Sequence, residues 1–267
     1  MPLRTRPDLA LADVEYAIWP LLVANMESAV DVIDAMRGYE VGPMVREGFI
    51  RRYEAVNTLL SGEPLTFDQR VAVSTHAILV VPIFAYYIGI LCETVRPLAN
   101  WERVIQDNSL YEALYRAALM IRLLNDLGTN LIRQSAEERA KFLAVLHREA
   151  QRQESPTLAT VLGALLDQHD TMLTRIDKDL QHGEFNLGFS DLIDMPSITD
   201  ALSAFEKRLG DCAALYERSE RELAGLLQTI SVTLGDPVTS TLIMRIVKFH
   251  EALYAQSFRQ ASGEYAV

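Results

Sequence analysis

Residues 111–134, YEALYRAALMIRLLNDLGTNLIRQ, are the stretch that decides the fold. Leu, Ile, Met and Ala recur there at helical spacing, which predicts one long buried helix. A polar cluster interrupts the apolar surface: Arg122, Asn125, Asp126, Thr129 and Arg133. Asn125, Thr129 and Arg133 recur every four residues and therefore share one stripe of the helix. Polar groups in an apolar interior need partners, so the stripe predicts a ligand, a metal ion or another polar element beside it.

The segment RLLNDLGTNLIR, residues 122–133, resembles the second metal-binding motif of class I terpene synthases. That family has an Asn or Asp followed four residues later by Ser or Thr, and then by Glu. The resemblance implies that Asn125 and Thr129 bind Mg²⁺ on a diphosphate and that Asp126 matches the motif's second position. Arg122 and Arg133 are the further catalytic candidates. Arg133 would either pair with Asp126 or another nearby acid, or contact the diphosphate itself.

The chain departs from the family pattern in two places. Arg133 stands where the family has its last metal-binding Glu, and no Asp-rich first motif occurs in the sequence. The early acidic residues Glu27, Asp31 and Asp34 share one helix face by their spacing. Carboxylates in this arrangement bind hard cations, so Asp31 and Asp34 are the candidate ligands that would complete a magnesium site. The alternative is an ordinary solvated helix face.

Aromatic residues in two other segments extend the resemblance. HAILVVPIFAYYIGILCETV, residues 76–95, matches the Pro-containing helix that precedes the second motif in the family, and FHEALYAQSFRQASGEYAV, residues 249–267, resembles its closing helix and aromatic tail. The candidate substrate-binding residues are Phe84, Tyr87, Phe249 and Tyr254. Their rings would shape an isoprenoid chain and stabilise carbocations by cation–π attraction. Ordinary core packing is the alternative for each.

Composition excludes several classes of protein. A net charge of −11 and a pI near 5.0 repel phosphate backbones, so no nucleic-acid partner is expected. Cys92 and Cys212 lie in helical segments far apart in sequence, which is typical of reduced cysteines in a cytoplasmic protein. The most apolar run, residues 77–92, is shorter than the roughly 20 residues of a membrane helix. No integral membrane span is expected, and the run predicts a buried helix.

Hydrophobic periodicity and turn residues predict an all-α fold. We expect a single domain, residues 1–267, forming a barrel or bundle of about eight to ten helices. Thr66 and Ser135 are predicted to cap helices, Ser135 with Glu138 as a capping box. Residues 183–197, GEFNLGFSDLIDMPS, predict a loop. The predicted helices are Asp13–Met36 with a kink or break at Pro20, Val45–Ser61, Thr66–Val80, Tyr111–Gln134, Ser135–Glu154, Pro156–Leu180, Ser197–Leu227 and Pro237–Gln260.

The leading hypothesis is a terpene synthase-like carbon–oxygen lyase. It would ionise a prenyl diphosphate and cyclise the carbocation in an apolar cavity, with Mg²⁺ or arginine stabilising the leaving diphosphate. Two other classes remain open. A haem-oxygenase-like di-iron oxidase would need paired Glu and His ligands, and a non-enzymatic helical module would bind an apolar ligand or a partner. A homodimer is a further expectation.

Overall fold

The computed structural model describes residues 11–166 and 170–256, and every regular element in these ranges is a helix. The predicted all-α fold is confirmed. The chain folds into two compact units. Unit 1 comprises residues 1–118 and 225–243, and unit 2 comprises residues 119–224 and 244–267.

Unit 1 is built around the packing of α2 against α3 and α4, with α1 on α2. The helices whose described residues lie wholly in this unit are α1 (Leu11–Ala35), α2 (Gly42–Leu60), α3 (Phe67–Ala77), α4 (Val80–Ile90), a π-helical turn (Leu91–Val95) and α5 (Trp101–Gln106). Thr66 caps α3 as predicted, since its hydroxyl accepts a hydrogen bond from the backbone of Gln69. Pro20 lies inside the continuous helix α1, so no break occurs there.

Unit 2 contains α7 (Thr129–Ile132), α8 (Ala136–Arg152), α9 (Leu158–Leu165) and α10 (Asp170–His182). The capping box of α8 is confirmed, because Ser135 and Glu138 exchange side-chain and backbone hydrogen bonds. Residues 183–197 contain turns and irregular backbone, as predicted. Three further helices contribute residues to both units: α6 (Ser109–Leu127), α11 (Ile198–Leu234) and α12 (Val238–Leu253).

The helix predicted at Tyr111–Gln134 is two helices, and the prediction of one element was wrong. α6 ends at Leu127, and α7 begins after Gly128, which has a φ of 81°. This left-handed region favours glycine because a Cβ atom is strained there. Thr129 and Arg133 therefore do not continue the stripe of Asn125.

Several other predicted boundaries shift. The predicted helix Pro156–Leu180 is divided into α9 and α10, with residues 167–169 outside the described ranges. The last helix was predicted at Pro237–Gln260. In the described ranges it ends at Leu253, and residues 257–260 lie outside those ranges. Twelve α-helices occur in the described ranges, more than the eight to ten expected, because breaks such as the one at Gly128 subdivide predicted helices.

Both cysteines, Cys92 and Cys212, are buried and free. Within the described ranges, no single helix has both the length and the hydropathy to cross a membrane. The pair Phe67–Ala77 and Val80–Val95, bent by 44°, meets that criterion by length and composition alone.

Candidate functional site

The centre of the polar cluster on α6 is a buried ion pair. Asp126 has no exposed surface, and the side chain of Arg122 is 9% exposed. Arg122 donates to one Asp126 carboxylate oxygen from Nε at 3.1 Å and from Nη2 at 2.8 Å. The Arg122 guanidinium also lies 5.6 Å from the centre of the Phe185 ring. A buried carboxylate is stable only with such partners, so Asp126 and Arg122 satisfy each other.

The loop of residues 183–197 supplies the remaining partners of this ion pair. The backbone N–H of Leu187 donates to the Asp126 carboxylate at 2.8 Å, and the carbonyl of Phe185 accepts from Arg122 at 3.2 Å. Asn186, 1% exposed, donates to the Asp126 carbonyl at 2.7 Å. The polar cluster therefore fastens the loop to α6.

A second buried carboxylate lies at the same place. Asn186 donates to Asp179 Oδ2 at 2.6 Å with the same amide nitrogen that reaches Asp126. Burial, followed by the negative charge of Asp126, raises the pKa of Asp179 to about 6. Desolvation disfavours the charged form of a carboxyl group. The pKa of Asp179 thus lies closer to neutral pH than that of an ordinary aspartate.

Asn125 accepts hydrogen bonds from Arg175, a residue distant in sequence. Arg175 donates to Asn125 Oδ1 at 2.7 Å and to the Asn125 carbonyl at 2.8 Å. The Asn125 amide nitrogen donates to Asp126 at 3.1 Å. The guanidinium of Arg175 lies 4.9 Å from the ring centre of Tyr254, a distance typical of a cation–π contact. Both polar atoms of the Asn125 side chain thus have protein partners.

Arg133 is the shared cation of two carboxylates. It donates to both oxygens of Glu220, at 2.8 and 2.7 Å, and to Glu251. It also lies over the Tyr216 ring, 4.7 Å from its centre, and the Tyr216 hydroxyl donates to Glu251 at 2.6 Å. The hydrogen bonds from Arg133 lower the pKa of Glu220 to about 2. Arg133 is therefore held in a structural ion-pair cluster.

The two residues expected to bind magnesium on α6 and α7 have protein partners. The oxygen that Asn125 would offer accepts from a cation, Arg175, whereas the Thr129 hydroxyl donates to the Glu251 carbonyl at 2.7 Å and keeps its oxygen lone pairs. Magnesium needs oxygen ligands that are free to coordinate. Within the described ranges, no group of three or more His, Cys, Asp or Glu side chains is arranged to hold a metal ion.

The other two candidate metal ligands lie on α1 in unit 1. Asp31 and Asp34 are exposed, as is Glu27. Asp34 pairs with Arg37, whereas Glu27 and Asp31 line a shallow groove. Glu27, Asp31 and Asp34 therefore face solvent, as expected for an ordinary solvated helix face.

A groove on unit 2 is the candidate binding site. Its volume is about 520 Å³, within the range of small-molecule sites. The groove is lined by residues of α7, α8 and α10 and of the turn between α7 and α8. These residues are Thr129, Asn130, Arg133, Gln134, Glu138, Lys141, Phe142, Val145 and Met172. The lining thus combines apolar side chains with the rim residues Thr129 and Arg133 of the predicted motif.

Gln134 carries an unusual buried atom in this lining. Its side-chain oxygen is buried and has no hydrogen-bond partner, while its nitrogen lies 3.3 Å from the Met172 sulfur. A buried polar atom without a partner costs about 1–3 kcal/mol. A ligand with a hydroxyl or N–H group would satisfy it once the side chain turns this oxygen toward the groove.

The predicted substrate-binding aromatics are not part of this groove. Tyr87 and Phe249 are each 63% exposed, and Phe84 is half-buried. Tyr254 contacts Arg175 and the His250 ring. None of the four lines either groove described for the molecule.

Sequence reasoning did not find the partners Arg175, Asn186, Glu220 and Glu251, nor the groove residue Gln134. The first four lie 50 to 122 positions from the residues of the predicted motif that they contact, and local spacing gives no signal for such pairs. A comparison of the chain with protein-family models, curated proteins and solved structures finds no match.

Proposed function

We propose that this protein is a non-enzymatic helical module that binds an uncharged, largely apolar small molecule in the unit 2 groove. The observation that carries the proposal is the Gln134 oxygen, which is buried without a partner in a groove of about 520 Å³. Phe142, Val145 and Met172 provide apolar surface for the body of the ligand. An O–H or N–H group on the ligand would donate to Gln134.

The charges around the groove favour a neutral ligand. Arg133 is neutralised by Glu220 and Glu251, and Lys141 pairs with Glu137. Glu138 adds a negative charge to the lining. A diphosphate needs an excess of positive charge, which these pairs do not supply. The same groove accepts an alcohol with no electrostatic cost.

The test compares farnesol with farnesyl diphosphate by isothermal titration calorimetry. Farnesol provides the apolar chain and one hydroxyl, whereas farnesyl diphosphate replaces that hydroxyl donor by a larger, negatively charged group. We expect farnesol to bind more tightly. Val145→Trp fills the groove and should abolish binding, while Ala144→Trp, on the exposed neighbouring position outside the lining, is the matched control. Equal loss in both variants, or no farnesol binding by the wild type, contradicts the proposal.

A second candidate is the prenyl diphosphate lyase that the sequence motif predicts. Its support is that Thr129 and Arg133 of the motif both line the groove. In this version the carbon–oxygen bond breaks heterolytically, and the electron pair leaves with the diphosphate. Arg133 would leave its pairs with Glu220 and Glu251 to stabilise that charge. The carbocation cyclises and then loses a proton to give a hydrocarbon, or captures water and loses a proton to give an alcohol.

Incubation with farnesyl diphosphate, with and without Mg²⁺, tests the lyase directly. Released diphosphate and a cyclic hydrocarbon or alcohol would support it. If neither product forms under either condition, the enzymatic version is discarded. Farnesol binding measured on the same preparation shows whether the groove is intact. Failure of the lyase proposal can therefore be distinguished from failure of the binding-module proposal.

A further inference from the structure

The helix α1 exposes an apolar surface along most of its described length. Seven large apolar side chains between residues 18 and 30 are at least 41% exposed: Ile18, Trp19, Leu21, Leu22, Val23, Met26 and Val30. Leu21 reaches 71%. Single exposed apolar residues are ordinary, but a contiguous set on one helix marks an interaction surface.

Four of these residues have the spacing of a helix–helix interface. Trp19, Val23, Met26 and Val30 are separated by four, three and four positions, and we call them the α1 seam. This spacing keeps side chains on one side of a helix over several turns. A neighbouring side of α1 attaches to unit 1, because Ala29 is buried and Asn25 accepts a hydrogen bond from Tyr53 of α2 at 3.1 Å.

A groove runs along the seam and carries two carboxylates. It has a volume of about 390 Å³ and is lined by Val23, Met26, Glu27, Val30 and Asp31. Glu27 and Asp31 are both exposed. The groove therefore offers apolar contacts beside fixed negative charge.

The charge of α1 indicates what covers the seam. Residues 11–35 contain acidic residues and no Lys, Arg or His. A second copy of α1 would bring the same carboxylates to the interface, which like-charge repulsion disfavours. An anionic membrane surface is disfavoured for the same reason, since interfacial helices need basic residues there.

We propose that the α1 seam docks an amphipathic helix of a partner protein, in which Lys or Arg residues flank an apolar stripe. The stripe would pack between Trp19 and Val30, as in other helix-in-groove complexes. The partner's cations would pair with Glu27 and Asp31. Apolar packing supplies affinity, and charge selects a basic helix over an acidic one.

The probe is a peptide of about 18 residues, or roughly five helical turns, made of Leu and Lys with Leu at alternating spacings of three and four. A second peptide keeps the Leu positions and replaces every Lys by Glu. Trp19 reports binding by its fluorescence, since it is 59% exposed, whereas Trp101 is 5% exposed. We expect saturable binding of the Leu–Lys peptide with a blue shift, and no binding of the Leu–Glu peptide.

Two variants test the site on the protein. Glu27→Lys/Asp31→Lys should weaken the Leu–Lys peptide at least about ten-fold, as expected for interfacial charge reversal. Glu63→Lys/Glu102→Lys changes the net charge equally at exposed positions outside the groove and should leave affinity nearly unchanged. Met26→Ser/Val30→Ser should also weaken the peptide, with folding verified by circular dichroism.

Three results would overturn the proposal. The first is equal binding of the two peptides or equal weakening by both charge variants. The second is a dimer in light scattering that Met26→Ser/Val30→Ser dissociates, which assigns the seam to a second copy. The third is binding to phosphatidylcholine vesicles that the same variant abolishes, which assigns it to a membrane surface.

Discussion

Asp126→Asn is the sharpest test of the role of the α6 cluster. The substitution keeps the shape of the side chain and removes the charge that compensates Arg122. Arg122 is 9% exposed, so its guanidinium would remain buried beside a neutral amide. Removing one partner of a buried ion pair costs about 3–5 kcal/mol. The Leu187 N–H and the loop attached to it would also lose a charged acceptor.

Thermal unfolding followed by circular dichroism measures the effect. In a chain of this size about 1 kcal/mol shifts Tm by roughly 2–4 °C, so the expected decrease is about 6–20 °C. Asp211→Asn is the matched control, because Asp211 also pairs with a cation four residues away, Lys207, but with side chains 42% and 79% exposed. An exposed pair of this kind contributes at most about 1 kcal/mol.

A third variant identifies the cause. If the buried charge of Arg122 is responsible, Arg122→Met in the Asp126→Asn background should recover part of the lost stability. A wild-type Tm for Asp126→Asn, together with loss of ligand binding or turnover, would refute the structural role and return Asp126 to the functional site.

Three further predictions follow from the same contacts. Arg133→Glu places a third carboxylate beside Glu220 and Glu251 and should lower the free energy of unfolding by roughly 1–3 kcal/mol in urea titrations; unchanged stability would contradict the ion-pair cluster. Gln134→Met removes the unpaired oxygen, so denaturant midpoints should rise while calorimetry shows weaker farnesol binding. The pKa of Asp179 is raised to about 6, so folding favours its protonated form, and this stabilisation is lost as pH rises through 6. Asp179→Asn should therefore gain Tm relative to the wild type between pH 4.5 and 7.5, and a constant difference would rule out Asp179 as the titrating group.

The sequence predicted the elements whose signals are local. The all-α class, the caps at Thr66 and Ser135 and the loop at residues 183–197 each depend on neighbouring residues, and the structure confirms them. The break at Gly128 was missed because an isolated glycine is tolerated inside helical patterns. Its φ of 81° becomes evident only in the folded chain.

The partners of the polar cluster could not be predicted from local sequence patterns. The polar stripe correctly indicated that partners were needed, but Arg175 and Asn186 lie 50 and 60 positions from the residues they bind. Arg133 was predicted to pair with an acid or to contact a diphosphate. Its observed partners, Glu220 and Glu251, are 87 and 118 positions away. A motif that resembles a metal site thus serves here to connect distant helices.

Hydrogen exchange of the whole protein, with and without farnesol, tests the central claim most directly. Bound ligand should slow amide exchange in α7, in the first half of α8 and around Met172, because these segments line the unit 2 groove. Exchange in α1 should stay unchanged. Absence of protection at α7 and α8, with farnesol present at saturating concentration, would contradict the assignment of the groove as the binding site.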